Sequence, residues 1–301
     1  MRITGIIILQ LLFMAVSFGQ APKAYTLIVG LKEVNGAAYL SKYKKTYSKS
    51  GTAGVDIDCD IIRRRAEDNQ HNITVLRDKA ATKGKILSTL EEIGKKINLE
   101  KGKVLFTFYF TGHGDTIRDI NNDEASGYDQ ALVAYDDFVL DDDIYAILRK
   151  YFTQSYNVMM VDACHSGSMY KLFKMLDFEK SVQKNSQFQN EKIADKQQLD
   201  LLSCDFNKNT DVDEPFSLIY LGASNDDQTA MGNSFGSSFT VYLDKVISDA
   251  EYFGGWQILT YKELACRISY YLSDQQSVMY KEIGKNVNQY NNYIPFKTNE
   301  L

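Results

Sequence analysis

Val104-Leu105-Phe106-Thr107-Phe108-Tyr109-Phe110-Thr111-Gly112-His113-Gly114 is the stretch whose reading decides the fold. Residues 104–110 are almost uninterruptedly apolar and rich in Val and aromatic side chains. That pattern describes a strand covered on both faces, not one with a wet side. Shorter runs of the same kind occur at 25–31, 73–76, 158–161 and 218–221. Between and after them lie helical patterns at 56–68, 82–97, 141–152, 235–247 and 261–272. The pattern at 82–97 opens on Thr82 as an N-cap and carries Ile86, Leu87, Leu90, Ile93 and Ile97 on one face. Strand and helix alternate, which predicts a mainly parallel α/β sheet, and right-handed crossovers place helices on both of its faces.

Composition agrees with an ordinary globular chain: 301 residues, 44% hydrophobic, 12% aromatic and 24% charged. Collagen, coiled coil and wholesale disorder are excluded on those figures. Lys and Arg total 34 against 39 Asp and Glu, a net charge of -5 with no basic block, so nucleic acid is not expected as a partner. Only 3 Pro occur and no linker composition divides the chain, which predicts one large domain over 20–301.

Residues 6–16 form an apolar run preceded by Arg2 and followed by Ser17-Phe18-Gly19-Gln20. Small residues at Ser17 and Gly19 suit cleavage after Gly19, so 1–19 reads as a signal peptide and the mature chain as exported, periplasmic or secreted. The run falls short of the roughly 20 residues that span a bilayer, and no stable membrane span is expected. Four cysteines, Cys59, Cys164, Cys204 and Cys266, are too few for a disulfide scaffold and allow at most one structural bridge. Cys59, Cys204 and Cys266 are read as small buried hydrophobes.

Two segments break the alternation. Residues 117–143 carry Asp119, Asp123, Glu124, Asp129, Asp136, Asp137, Asp141, Asp142 and Asp143, more carboxylates than a packed element is expected to hold. Residues 174–213 are polar, with little periodicity and with Lys180, Lys184, Lys192, Lys196 and Lys208, and read as an exposed, mobile insertion.

The chemistry gathers at two strand ends. Thr111-Gly112-His113-Gly114 ends one run, and Asp162-Ala163-Cys164-His165-Ser166-Gly167 ends another. Ligands of open parallel sheets bind outside the carboxyl ends of strands, where both sets land. Packing alone does not explain glycines flanking a His or a Cys in a strand-to-loop turn. A thiolate is a strong nucleophile, and an imidazole within reach forms it and later protonates a leaving amine. His113 and Cys164 are therefore the candidate catalytic dyad. The backbone N–H groups of Gly114 and Cys164 are the candidate oxyanion hole. Residues two apart on a strand share a face, so Asp162 projects with Cys164 and Thr111 with His113. A carboxylate beside the nucleophile attracts a cationic P1 side chain and repels an acidic one. His165 points the other way by the same alternation, and no chemistry is assigned to it. Trp256 with Gly254-Gly255 is expected to shape a loop near the site.

These residues make the chain similar to the caspase-like cysteine peptidases of clan CD, and within them to the metacaspase type. Caspases carry a Gln-Ala-Cys core with the His about 50 residues upstream. Here the separation from His113 to Cys164 is 51, and Asp162 stands where caspases have Gln. Asp-Ala-Cys-His-Ser-Gly is metacaspase-like. The resemblance extends over residues 25–296, including Leu27-Ile28-Val29-Gly30, Gly127-Tyr128-Asp129-Gln130-Ala131-Leu132-Val133 and Ala223-Ser224-Asn225-Asp226-Asp227-Gln228-Thr229-Ala230. It implies a caspase-like three-layer sandwich with a mainly parallel six-stranded sheet. The implied activity is that of an endopeptidase acting on polypeptides after Arg or Lys. Self-processing in the 174–213 segment is expected from its exposure and from its lysines, which suit an acidic pocket. Asp58 looks like the second acid of the S1 pocket beside Asp162 and Thr111, although Val55 and Cys59 depart from the family's usual Cys placement. An alternative reading makes Asp58 a first-turn helix acid.

The resemblance also points to a Ca²⁺ site, with Asp129, Asp142 and Asp143 matching three of its four acids. Lys171 occupies the fourth place, and a cation there weakens or removes the site, so no cofactor is taken as required. Two rivals remain. A catalytically idle caspase-like module would recognise a peptide without cutting it. A non-peptidase α/β hydrolase would need a Gly-x-Ser-x-Gly elbow, which the sequence lacks.

Overall fold

The computed structural model describes residues 23–48, 52–118, 127–164, 206, 214–224, 232–254, 259–272, 276–284, 287 and 293–298. In chain order the first elements are β1 (Lys23–Gly30), α1 (Gly36–Tyr43), α2 (Val55–Asp68), β2 (Asn72–Arg77), α3 (Lys83–Ile97) and β3 (Val104–Thr111). Next come β4 (Gly114–Arg118), β5 (Tyr128–Val133), β6 (Phe138–Leu140), α4 (Asp141–Tyr151) and β7 (Tyr156–Asp162). The last are β8 (Ser217–Gly222), β9 (Gly232–Asn233), β10 (Gly236–Ser237), α5 (Ser238–Tyr252), α6 (Tyr261–Tyr271) and β11 (Met279–Ile283).

Six strands form the central sheet in the order β11-β8-β7-β3-β1-β2. β1 pairs parallel with β2 and β3, β3 with β7, and β7 with β8, while β11 closes the edge antiparallel to β8. The two-residue period of the strands sorts their side chains into two layers. Leu27, Val29, Phe106, Phe108, Phe110, Met159 and Val161 pack with Ile86, Leu90 and Ile93 of α3 and Ile144 and Leu148 of α4. On the other face Ile28, Leu105, Tyr109, Val158 and Met160 meet Val55 and Ile62 of α2, Phe239 and Leu243 of α5, and Leu264 and Ile268 of α6. The expected parallel sheet with helices on both faces is what forms, and Thr82 caps α3 by accepting from the Lys85 N–H at 3.2 Å.

Three expectations need correction. The acid-rich 117–143 stretch includes a packed element: all of β5 but Tyr128 is buried, and β4-β5-β6 make a second sheet. Its acids sit beside an Ala131-Leu132-Val133 run that supplies the apolar surface, and Tyr39 of α1 covers Ala131, Val133 and Phe138. The helix expected from 235 begins only at Ser238, because Gly236 adopts φ +119 and Ser237 is the N-cap. Cys266 is disulfide-bonded, whereas Cys59 is free and buried as read. Sequence spacing carries no signal for which cysteines approach in space. Cys204, His165, Trp256, residues 1–19 read as a signal peptide and, apart from Phe206, the 174–213 segment lie outside the described residues. Phe206 packs on Tyr280 of β11 with tilted rings, centroids 5.2 Å apart.

The face carrying α2 and α5 is tied by a buried cation. Arg65 of α2 donates from Nε to Asp244 Oδ1 and from Nη1 to Glu251 Oε2, both at 2.7 Å, and from Nη2 to the Asp244 carbonyl at 3.0 Å. Hydrogen bonds to charged groups contribute about 1.5–3 kcal/mol each, less where a partner is wet, as Glu251 is. Replacing Arg65 with Ala should lower the unfolding free energy by about 2–4 kcal/mol, measured by urea titration. A midpoint equal to that of the wild type would show that the clamp contributes nothing.

Candidate active site

Thr111 at the end of β3 stands level with Asp162 at the end of β7, and the Gly112 N–H donates to the Asp162 carbonyl at 3.3 Å. Continuing the register by two residues brings the chain at His113 abreast of the chain at Cys164. Gly114 makes the approach possible: a Cβ there would sit 1.9 Å from the Cys164 carbonyl oxygen. From the β8 side, the Ala223 N–H donates to the Val161 carbonyl at 2.9 Å and Ser224 Oγ to the Ala163 carbonyl at 3.0 Å. Cys164 is not disulfide-bonded and is of intermediate exposure. The turn bearing it is therefore held on both sides, by Gly114 and by the β8 end.

His113 is oriented from a segment that sequence reasoning missed. Its Nε2 lies 2.8 Å from the carbonyl oxygen of Ser48, just after α1. A carbonyl only accepts, so Nε2 carries the hydrogen and Nδ1 is left as the ring's acceptor. Tyr47 packs on the imidazole with centroids 5.3 Å apart. Its hydroxyl donates to Asp115 Oδ2 at 2.5 Å, and Lys45 Nζ to Asp115 Oδ1 at 2.6 Å. Burial lowers the His113 pKa, against the opposing pull of the Ser48 carbonyl and Asp115, so the ring is neutral and able to accept a proton. The sequence gives little hint of Ser48, since a main-chain acceptor leaves no mark on residue type.

The S1 candidates do converge. Asp58, in the first turn of α2, is 1% exposed, Asp162 is 3% exposed, and both belong to the face of the sheet covered by α2 and α5. Thr111 Oγ1 donates to Asp58 Oδ2 at 3.1 Å, and the Ser237 N–H donates to Asp58 Oδ1 at 2.8 Å. Asp162 Oδ2 accepts from the Ser237 hydroxyl and from Thr240 Oγ1, the latter at 2.6 Å. Asp58 is thus both readings at once, a first-turn helix acid and a partner of Asp162. Burial, then the neighbouring Asp162 charge, pushes Asp58 up to about 7, against the Ser237 and Thr111 donors. Burial pushes Asp162 up to about 6, against the hydroxyls of Ser237 and Thr240.

The three acids matched to a calcium site do not assemble one. Asp143 accepts the Leu140 N–H at 3.1 Å and pairs with Lys83 Nζ at 2.7 Å. Asp129 lies on β5 and Asp142 in the first turn of α4. Among the described residues no group of three or more His, Cys, Asp or Glu could hold a metal ion. The fourth position, Lys171, lies outside the described residues.

A family model described as "Caspase domain", of the C14 peptidases, matches residues 40–295. The chain is 29% identical over 110 residues to metacaspase-1 of Scheffersomyces stipitis, covering 35% of this chain and 26% of that one. It is 31% identical over 130 residues to metacaspase-1 of Plasmodium falciparum, covering 38% and 20%. The matches thus span about a quarter or less of these relatives' length. The crystal structure of protein GSU0716 from Geobacter sulfurreducens aligns with a TM-score of 0.65 at 22% identity, over 92% of this chain and 99% of that one. Caspase-1 from Spodoptera frugiperda aligns with a TM-score of 0.50 at 11% identity, over 88% and 90%. At those identities the two solved structures show a shared fold.

The raised carboxylates carry a stability signature. A folded-state pKa above the unfolded value of about 3.9 contributes stability that is present below that value and lost as pH rises through the folded pKa. For Asp58 and Asp162 the loss runs from about pH 4 to about 7. Asp162→Asn removes one charge of the pair, so its thermal midpoint relative to the wild type should climb between pH 4.5 and pH 8. A difference independent of pH would mean that the pair does not repel.

Proposed function

The chain belongs to the caspase-domain family of C14 peptidases, and on that premise we propose that it is a cysteine endopeptidase cleaving after Arg or Lys, with Cys164 as nucleophile and His113 as base. The observation that carries the specificity is the buried Asp58 and Asp162 pair at the strand end that also bears Cys164. A P1 guanidinium or ammonium relieves the repulsion between two desolvated carboxylates, whereas an acidic P1 adds to it.

In the proposed sequence His113 Nδ1 takes the proton of the Cys164 thiol, and the thiolate forms a bond to the scissile carbonyl carbon. The N–H groups of Gly114 and Cys164 receive the developing oxyanion. Collapse breaks the C–N bond, and the imidazolium returns its proton to the leaving amine. A water molecule, deprotonated by His113, then hydrolyses the thioester and restores the thiol. The Ser48 carbonyl keeps Nε2 protonated throughout and steadies the imidazolium.

Export after cleavage of residues 1–19 is part of this reading, supported by the apolar run at 6–16 and by the disulfide at Cys266, a bond favoured in oxidising compartments. No described helix is long and apolar enough to cross a membrane. The partners are polypeptides, and the charge pattern offers no footprint for nucleic acid. Self-processing follows from the lysines of 174–213, among them Lys174, Lys180, Lys184 and Lys192, which present P1 side chains that suit an acidic pocket.

Arg- and Lys-terminated reporter peptides should be cleaved by the mature protein and Asp-terminated ones left intact, with EDTA making no difference. Cys164→Ala and His113→Ala should abolish turnover without changing the circular dichroism spectrum. Full activity in either variant, or cleavage after Asp, overturns the assignment.

Denaturing electrophoresis tests processing separately. Wild type should yield two fragments cut within 174–213, and Cys164→Ala a single intact chain. Equal cutting of the variant would point to another protease.

A further inference from the structure

Ser237 performs a task that neither the dyad nor the acids account for. It ends β10 and caps α5, and its two donors reach carboxylates from two different elements. The backbone N–H goes to Asp58 Oδ1 of α2 at 2.8 Å and the hydroxyl to Asp162 Oδ2 at the end of β7. The hydroxyl oxygen is itself occupied, because it accepts the Thr240 N–H at 3.2 Å. Its one proton is therefore committed to Asp162.

The rest of the network runs in the same direction. Thr240 Oγ1 donates to Asp162 Oδ2 at 2.6 Å, so the Tyr109 hydroxyl, 2.6 Å from Thr240 Oγ1, donates to it. Thr111 donates to Asp58 from the other side. Every hydrogen bond described here at the two acids is a donation to them, an arrangement that stabilises carboxylates as anions. Carboxylates gathered away from water, with no cation among their described partners, are set to receive one from outside.

Gly236 delivers the bridge. At φ +119 it turns the short β9-β10 hairpin in so tightly that a Cβ there would stand 3.0 Å from Asp58 Oδ1 and 2.7 Å from Val241 Cγ2. Two like charges held this close would otherwise rotate apart, or one would be protonated. A neutral residue donating to both fixes their separation.

We propose that Ser237 is the positioning residue of the substrate's cation site, holding Asp58 and Asp162 at the spacing a P1 cation enters. This inference rests on the reading of the pocket as S1. A guanidinium, with several N–H groups in a plane, spans two carboxylates better than an ammonium does. The clamp therefore favours Arg over Lys at P1.

The test compares wild type, Ser237→Gly and Ser237→Thr. Gly keeps the N–H to Asp58 and loses little as a helix cap, so it deletes the hydroxyl alone. Expected for Ser237→Gly are a KM for an Arg reporter about tenfold higher with kcat nearly unchanged, and a lower Arg-to-Lys preference. The acid limb of kcat/KM should also move to higher pH, since Asp162 has lost a donor. The titratable groups facing that carboxylate are Asp58, Tyr109 and, beyond Asp58, Cys59. Of these only Asp58 titrates below pH 8, because burial pushes Cys59 up to about 12 and raises Tyr109 well above its ordinary value. Ser237→Thr should restore wild-type values of all three.

A readout free of turnover is the rise in melting temperature that agmatine gives in the Cys164→Ala protein, which Ser237→Gly should remove. Unchanged KM, preference and acid limb in Ser237→Gly, beside a wild type that cleaves Arg peptides, overturn the role of Ser237 alone. A wild type that neither cleaves Arg or Lys peptides nor is stabilised by agmatine overturns the S1 reading and this inference with it.

Discussion

Everything at the site depends on the register of β3 against β7. With Thr111 level with Asp162, the two strands end together, and residues two further along each chain are brought abreast by Gly114 against the Cys164 carbonyl. A one-residue slip of either strand would turn its own end groups toward the α3 and α4 face and part them from those of the other strand. The register is secured by two dry layers, since Phe106, Phe108 and Phe110 fit one face and Leu105 and Tyr109 the other. Buried strands leave no polar side on which a shifted pairing could be tolerated.

The acid pair sets the opposite demand. Apolar packing would favour neutral groups where Asp58 and Asp162 sit, and burial raises both toward neutrality. Donors from Thr111, Ser237 and Thr240 pull the other way. The acid pair is a compromise between desolvation and hydrogen bonding. In such a balance any nearby positive charge would shift both acids back toward the ionised form.

Long apolar runs made the sheet legible in the sequence. All five of the expected strands formed, and the expected helices followed with shifts of a few residues at their ends. β5 escaped because its carboxylates outweighed a three-residue apolar run, and α1 because Gly36-Ala37-Ala38 carries almost no amphipathic contrast. The edge strand β11 contains Lys281 and Glu282, which argue against burial on residue type, yet both side chains are buried. In the site, Thr111, His113, Asp162 and Cys164 were readable because strand parity fixes where strand-end residues point. Asp58 needed a family resemblance, as nothing local ties a helix acid to a strand 104 residues further along the chain. Ser48 and Ser237 were invisible: one acts through its carbonyl, and the other through an N-cap geometry that hides its second partner.

The three elements that meet at the acids are also those whose packing Arg65 and the second core layer maintain. Asp58 comes from α2, Asp162 from β7 and Ser237 from the start of α5. Arg65, two turns beyond Asp58 on α2, grips Asp244, two turns into α5. A rotation of either helix about its axis would shift Asp58 and Ser237 by ångströms, enough to break hydrogen bonds of 2.8 Å. The spacing of the carboxylates is therefore set at a distance from the substrate, by an ion pair on the far side of the same interface. Cys164 shares the β7 end with Asp162, while Ser48, Gly114 and the end of β8 hold it and His113 from outside that interface. A change at the α2 and α5 interface therefore falls first on the spacing of the acids.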